Sequence, residues 1–176
     1  MSDEEEHELC VQCGFDGAQY SDRSLLNALK GLGNLWREVL ADAGSDLRTR
    51  PAPEVWSALE YAAHSRDVTA LHCFGVNEAL RLNEPDFGEV DGDAMINAAA
   101  ASYNDEEVAP VLDALELQTR ALSSTAREAG TEAWSRGVTI GGERSSIRRL
   151  LEHALHDSTH HLDDVERNLA LLRTTR

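Results

Sequence analysis

The chain has 176 residues and a formal net charge of −16. It is long enough to bury one domain's core and too acidic to offer the basic surface that nucleic acid or an anionic membrane needs. No stretch reaches the roughly 18 consecutive apolar residues of a membrane span, and no basic-then-apolar signal opens the chain. The expectation is therefore a cytoplasmic protein folded from residues 1–176 as a single domain.

Residues 1–20 read as an N-terminal tail. Asp3-Glu4-Glu5-Glu6 is solvated charge. Cys10-Val-Gln-Cys13-Gly14 has the shape of a zinc knuckle, but structural zinc takes four protein ligands and the sequence shows no second pair. An ordinary turn is the preferred reading over metal or redox chemistry. The third cysteine, Cys73, reads as a small buried helix residue. An odd count with no signal peptide does not describe a disulfide framework.

Ser21 or Asp22 caps a first helix whose apolar face is Leu25, Leu29, Leu32, Trp36 and Val39/Leu40, ended by Gly44. Pro51 and Pro53 open a second, running through Trp56, Leu59, Ala63, Val68, Leu71 and Phe74 to about Leu82. The turn-rich, acidic stretch 83–93 follows, then an alanine-rich stretch, 94–102, read as a short helix or the start of the third. Asn104 or Asp105 caps that third helix, and Val108, Val111/Leu112, Leu115 and Leu122 form its buried face. The connection 130–143 has room for a short hairpin around 138–140. Ser145 or Ser146 caps the fourth helix. With no strand-rich region and no repeat, the fold class is all-α, a four-helix bundle with long connections.

The fourth helix carries His153-Ala-Leu-His156-Asp157-Ser-Thr-His160-His161. Residues four apart lie one above the other on a helix, so two of them can hold one metal ion from the same face. The apolar residues Ile147, Leu150, Leu151, Ala154, Leu155, Leu162, Val165 and Leu169 define the inner side. His161 falls in that sector and Asp157 at its edge. His156 and His160 fall nearly opposite, toward solvent, and remain the fallback pair of ligands. Catalytic zinc usually takes three protein ligands and leaves a position open. His64 on the second helix shares a sector with Val68 and Leu71 and supplies the third. Glu60 and Asp67, about one turn to either side of His64, are candidates to orient its ring from outside the metal.

These residues carry a family resemblance. Thr49-Arg-Pro-Ala-Pro-Glu-Val-Trp56 leading to His64-Ser-Arg-Asp67, the loop Trp134-Ser-Arg-Gly137, Leu155-His-Asp157-Ser-Thr-His-His161-Leu-Asp-Asp-Val and Cys13-Gly-Phe-Asp16 resemble the DinB/YfiT-like superfamily, in its actinobacterial form. The resemblance covers nearly the whole chain. It implies a four-helix bundle with a metal held by His64, Asp157 and His161, the same three residues that helix phase selects. Many members have histidine where this chain has Asp157, whereas the related mycothiol-dependent maleylpyruvate isomerases have a carboxylate.

The resemblance further implies an enzyme that activates a low-molecular-weight thiol, mycothiol or a relative, for S-transfer to a small electrophile. Zinc is the first choice of metal, with nickel, manganese and iron as alternatives. Trp56, Trp134, Asp91 and Asp93 are candidates for the substrate pocket. Two other readings remain: a metal-dependent hydrolase or isomerase, and a non-catalytic dimeric bundle whose metal is closed by a fourth ligand such as Glu60 or His153. Apolar bundle faces commonly pair, so a homodimer is compatible with the chain under any of these readings, and no nucleic acid or membrane partner is expected.

Overall fold

The computed structural model describes residues 7–175; the acidic run 3–6 lies outside them. Among the described residues five α-helices and three short strands follow in the order α1 (Asp22–Ala43), α2 (Ala58–Arg81), β1 (Asp86–Phe87), α3 (Gly92–Ala100), α4 (Val108–Ala129), β2 (Gly137–Ile140), β3 (Glu143–Ser146) and α5 (Ile147–Thr174). The alanine-rich stretch is the separate short helix α3. Ser21 caps α1 through the Ser24 N–H, and Ser146 caps α5 through the Arg149 N–H.

Two helix starts differ from the sequence reading. Helix α2 begins at Ala58 rather than at the prolines. The Ser57 hydroxyl accepts from the Glu60 N–H, and the Glu60 carboxylate accepts from the Ser57 N–H, a reciprocal cap that outweighs proline's tolerance of a first turn. Pro51 and Pro53 lie instead in a turn closed by an Ala52–Val55 bridge, which leaves Trp56 just ahead of the helix. Helix α4 begins at Val108, because Asn104 and Asp105 are taken up in a 3-10 turn, Tyr103–Asp105. The Arg48 guanidinium donates to the carbonyls of Asn104 and Glu106 and pins that turn.

Helix α1 packs on α4 and α5, and α2 packs on the same two, so α1 and α2 lie across a diagonal of the bundle. Trp36, Leu25, Leu29, Leu59, Leu115, Leu151 and Leu155 are fully buried between them. Gly33 is demanded by the α1–α4 crossing: a Cβ there would lie 2.7 Å from Glu116 Cβ. The diagonal arrangement brings α2 beside α5 and so faces His64 toward Asp157 and His161.

The hairpin foreseen in 130–143 is present, β2 pairing antiparallel with β3 and parallel with β1. Its two-residue turn, Gly141-Gly142, has φ of 60° and 83°, values that L-residues avoid and two-residue hairpins need.

Residues 7–20 are not a free tail. Cys10 N–H donates to the Phe15 carbonyl and Gly14 N–H to the Cys10 carbonyl, each at 2.9 Å, folding the Cys10–Cys13 turn back on itself. Phe15 is buried and stacks on Tyr20 and on His156. The segment is held to α5 by Glu152, fully buried, which accepts from the Glu8 N–H at 2.8 Å and pairs with His7 and Arg148. Arg148 in turn reaches Asp22 and the carbonyls of Gly17 and Tyr20. This layer covers the face of α5 that helix phase assigned to solvent. His156 and His160 are consequently half-buried.

Candidate metal centre

The facing of α2 and α5 brings His64, Asp157 and His161 into one group whose ligand atoms lie within 4.8 Å of one another. His64 Nε2 is 3.4 Å and His161 Nε2 3.5 Å from the same Asp157 oxygen, Oδ1, and the two rings stand edge to face at 4.9 Å. The donor set fits a divalent metal: two imidazole nitrogens and a carboxylate oxygen converge on one point. His161 Nδ1 is 3.1 Å from Asp164 Oδ2, the carboxylate–histidine contact that fixes a ligating ring's tautomer and leaves Nε2 for the metal. Burial pulls the Asp157 carboxyl up, but hydrogen bonds and charge from His161 and His64 outweigh it and hold the group far below the ordinary carboxylate range. Burial pulls His161 down, and Asp157, then Asp164, raise it above the ordinary imidazole value.

The other sequence candidates are placed as follows. Trp56 lies against the site, its ring 5.1 Å from His64. Glu60 does not reach His64; it serves the α2 cap and an ion pair with Arg50. Asp67 does not orient His64 either, since it accepts from the Tyr103 hydroxyl at 2.7 Å and pairs with Arg66. Trp134 is buried where α4 ends and α5 begins, its Nε1 donating to the Ala126 carbonyl at 3.0 Å. Arg148 lies over its ring, about 13 Å along α5 from Asp157 at helical rise. Core packing accounts for Trp134. His153, the other fourth-ligand candidate, stacks on His72 and contacts Glu8.

Asp91 and Asp93 line a cleft of ≈ 600 Å³ with Glu8, His72, Arg149 and His153. Asp91 also caps α3. His72 and His153 lie on α2 and α5, two turns and one turn from the metal group respectively; His64, Asp157 and His161 do not themselves line the cleft. Burial lowers the His72 imidazole to about 4, with the His153 charge adding to the effect, and its Nδ1 contacts the Val68 carbonyl at 2.6 Å.

Three neighbours were not singled out from sequence. Asp164 is one turn beyond His161, a spacing that marks it in retrospect. The Tyr61 ring lies 5.0 Å from that of His161, tilted against it. The Ser65 hydroxyl donates to Asp157 Oδ2 at 3.5 Å. Neither Tyr61 nor Ser65 carries a sequence signal apart from its closeness to His64.

The fold and this residue group define a four-helix bundle with two histidines and a carboxylate gathered between α2 and α5. The chain belongs to the DinB superfamily, whose family model matches residues 24–165. Two solved structures share the fold. YfiT from Bacillus subtilis, described as a probable metal-dependent hydrolase with an unusual four-helix bundle topology, superposes with a TM-score of 0.73 at 14% identity, over 84% of this chain and 85% of its own. The mycothiol-dependent maleylpyruvate isomerase superposes with a TM-score of 0.65 at 16% identity, over 85% of this chain and 62% of that one. No curated protein matches the sequence. No helix among the described residues is long and apolar enough to cross a membrane.

Proposed function

We propose that this protein is a metal-dependent enzyme that uses a low-molecular-weight thiol of the mycothiol type to modify a small electrophile. His64, Asp157 and His161 hold the metal, with zinc favoured over nickel, manganese and iron. The observation that carries the reading is the incompleteness of the ligand set. Glu60 and His153, the two residues on hand to close it, are both engaged elsewhere, and a three-ligand set leaves a position for a reactant.

A metal so held lowers the pKa of a bound thiol or water and keeps the anion available at neutral pH. Asp157 supplies the negative charge that offsets the metal's, and Asp164 keeps the His161 ring oriented. Trp56 and Tyr61 wall the reactants on the α2 side. The choice of thiol over water rests on the family resemblance and on the cleft. A volume of ≈ 600 Å³ one to two turns along α2 and α5 from the metal group has room for a polar cosubstrate, and Arg149, Asp91 and Asp93 offer it charged and hydrogen-bonding partners. In the transfer the thiol sulfur loses its proton and forms a bond to the electrophilic carbon, whose leaving group departs with the bonding pair.

The test is metal content of the wild type beside His64→Ala and Asp157→Ala, followed by incubation of the metal-loaded protein with mycothiol and a panel of electrophiles, read by mass spectrometry. An S-conjugate formed by the wild type and lost in both variants supports the proposal. Turnover that needs the three residues but no thiol replaces it with the hydrolase or isomerase reading. A wild type and variants of equal metal content overturn it.

A further inference from the structure

The turn that the sequence left without a second pair of ligands finds one on α5. Cys10, Cys13, His156 and His160 form a group whose ligand atoms all lie within 4.8 Å of one another. The spacing is Cys-x2-Cys with His-x3-His, one of the pairings that structural zinc sites use. We propose that these four residues bind a structural zinc ion that fastens the N-terminal segment to α5, separately from the His64/Asp157/His161 centre.

Four observations support it. First, Cys10 Sγ is already 3.9 Å from His160 Nδ1. Zinc–sulfur and zinc–nitrogen bonds of about 2.3 and 2.0–2.1 Å in a tetrahedron put ligand atoms roughly 3.3–3.8 Å apart, so closing the site takes shifts of about 1 Å. Second, His156 Nε2 is buried with no hydrogen-bond partner, an expense that a buried ring nitrogen avoids unless something binds there.

Third, each histidine has a carboxylate at its other nitrogen. His156 Nδ1 is 2.8 Å from Glu8 Oε1, and His160 Nε2 is 3.7 Å from Asp164 Oδ2. The first is a hydrogen bond, which sets a ligating imidazole's tautomer and raises its basicity; the second is at ion-pair distance. Fourth, both cysteines are free thiols, and the turn that joins them is held by its own backbone hydrogen bonds, so the pair is presented ready-made. With four protein ligands the site is closed, which assigns it to structure rather than to catalysis.

A competing arrangement shares one residue: Glu8, His153 and His156 also approach one another. Glu8 is already committed to Arg149, 2.8 Å away, and to both histidines, and we assign it the supporting role.

The experiment compares tag-free protein, expressed with zinc, as wild type, Cys10→Ser/Cys13→Ser and His64→Ala/His161→Ala. Zinc per chain is measured by mass spectrometry, and cobalt(II) replaces zinc in each for absorption spectra. The proposal expects the cysteine variant to hold about one zinc fewer than the wild type. It also expects the His64/His161 variant to keep about one and to show a thiolate-to-cobalt charge-transfer band that the cysteine variant lacks. That readout stands whether or not the catalytic centre takes up metal.

Because the cysteine variant could misfold, wild-type thiols are titrated as well. Burial pushes the Cys73 thiol up to about 11, so it reacts slowly. Two thiols that become reactive only after chelation support the site. Unchanged zinc in the cysteine variant, thiols that react fully without chelator, or a Cys10–Cys13 disulfide in the purified protein each overturn it. Loss of zinc on His153→Ala with the cysteine variant unaffected assigns the ion to the Glu8 group instead.

Discussion

The anchor of the N-terminal segment gives the sharpest energetic prediction. Glu152 is 0% exposed and Arg148 6%, and they pair four residues apart on α5. Glu152→Ala leaves the guanidinium without its buried carboxylate and the Glu8 N–H without an acceptor. Breaking one side of a buried ion pair costs about 3–5 kcal/mol. Arg148 keeps Asp22 at 2.7 Å and the Gly17 and Tyr20 carbonyls at 3.2 and 2.6 Å, which places the expectation near the lower end, about 3 kcal/mol. For a chain of this size each kcal/mol moves Tm by roughly 2–4 °C, so the drop should be about 6–12 °C. The assay is thermal unfolding by circular dichroism with chelator present, so that no bound metal masks the effect. A single-variant drop under about 2 °C refutes the view that this pair fastens the segment.

Further outcomes follow from the site and the core. In chelated protein the depressed Asp157 adds stability that is full above about pH 4 and is lost as pH falls through its lower folded value. The raised His161 adds stability that is full below about pH 6.5 and is lost as pH rises through its folded value. Urea midpoints should therefore show a triad contribution greatest between those limits, and His161→Ala should remove the decline on the alkaline side; an unchanged decline excludes His161 as its source. Asp164→Asn, which loses the anion behind His161, should weaken metal binding about 10–100-fold, read by chelator competition. Trp36→Phe strips the buried Ser158 hydroxyl of a 2.8 Å donor and should cost about 1–3 kcal/mol in urea unfolding; no change would mean that the hydroxyl finds another partner. Gly142→Ala forces an L-residue to φ 83° and should cost roughly 1–2 kcal/mol by the same measurement.

Much of the bundle and its inner face was legible because apolar periodicity reports directly on which side of a helix is buried. The phase of α5 turned Asp157 and His161 toward α2, as the structure has them, and turned His156 and His160 toward solvent, where the structure instead covers them with the N-terminal segment. Helix starts were less legible. The prolines at 51 and 53 suggested a first turn, but the cap at Ser57 is set by one bond in each direction with Glu60, and a local proline preference cannot register that. The facing of α2 and α5 depends on the diagonal placement of α1 and α2, a long-range property that periodicity does not carry. Glu60 and Asp67 show the same limit. Each is about one turn from His64, but Glu60 is drawn to Arg50 and the Ser57 N–H just ahead of α2, and Asp67 to the neighbouring Arg66 and to Tyr103, which only the fold brings near. The covering of His156 and His160 was invisible because the apolar residues of segment 7–20 follow no helical or strand period; the segment is held by hydrogen bonds from Arg148 and by ion pairs to Glu152 and Arg149.

The two metal-ligand groups on α5 are offset by one residue, which on a helix is about 100° of rotation. One i, i+4 pair, Asp157 and His161, therefore faces α2, while the other, His156 and His160, faces the N-terminal segment. Asp164 stands between them, 3.1 Å from His161 Nδ1 and 3.7 Å from His160 Nε2. A zinc ion on His160 Nδ1 would fix that ring and make its Nε2–H a stronger donor toward Asp164. The carboxylate that orients His161 would then have less freedom to swing away, and His161 would meet its own metal already aligned. Ordering one site thus lowers the cost of ordering the other, and by reciprocity the coupling runs in both directions. Cys10→Ser/Cys13→Ser should consequently weaken metal binding at His64, Asp157 and His161, several ångströms from the substitutions, and Asp164→Asn should abolish that effect. Equal affinity at the triad with and without the cysteines would mean that the two sites share a helix and nothing more.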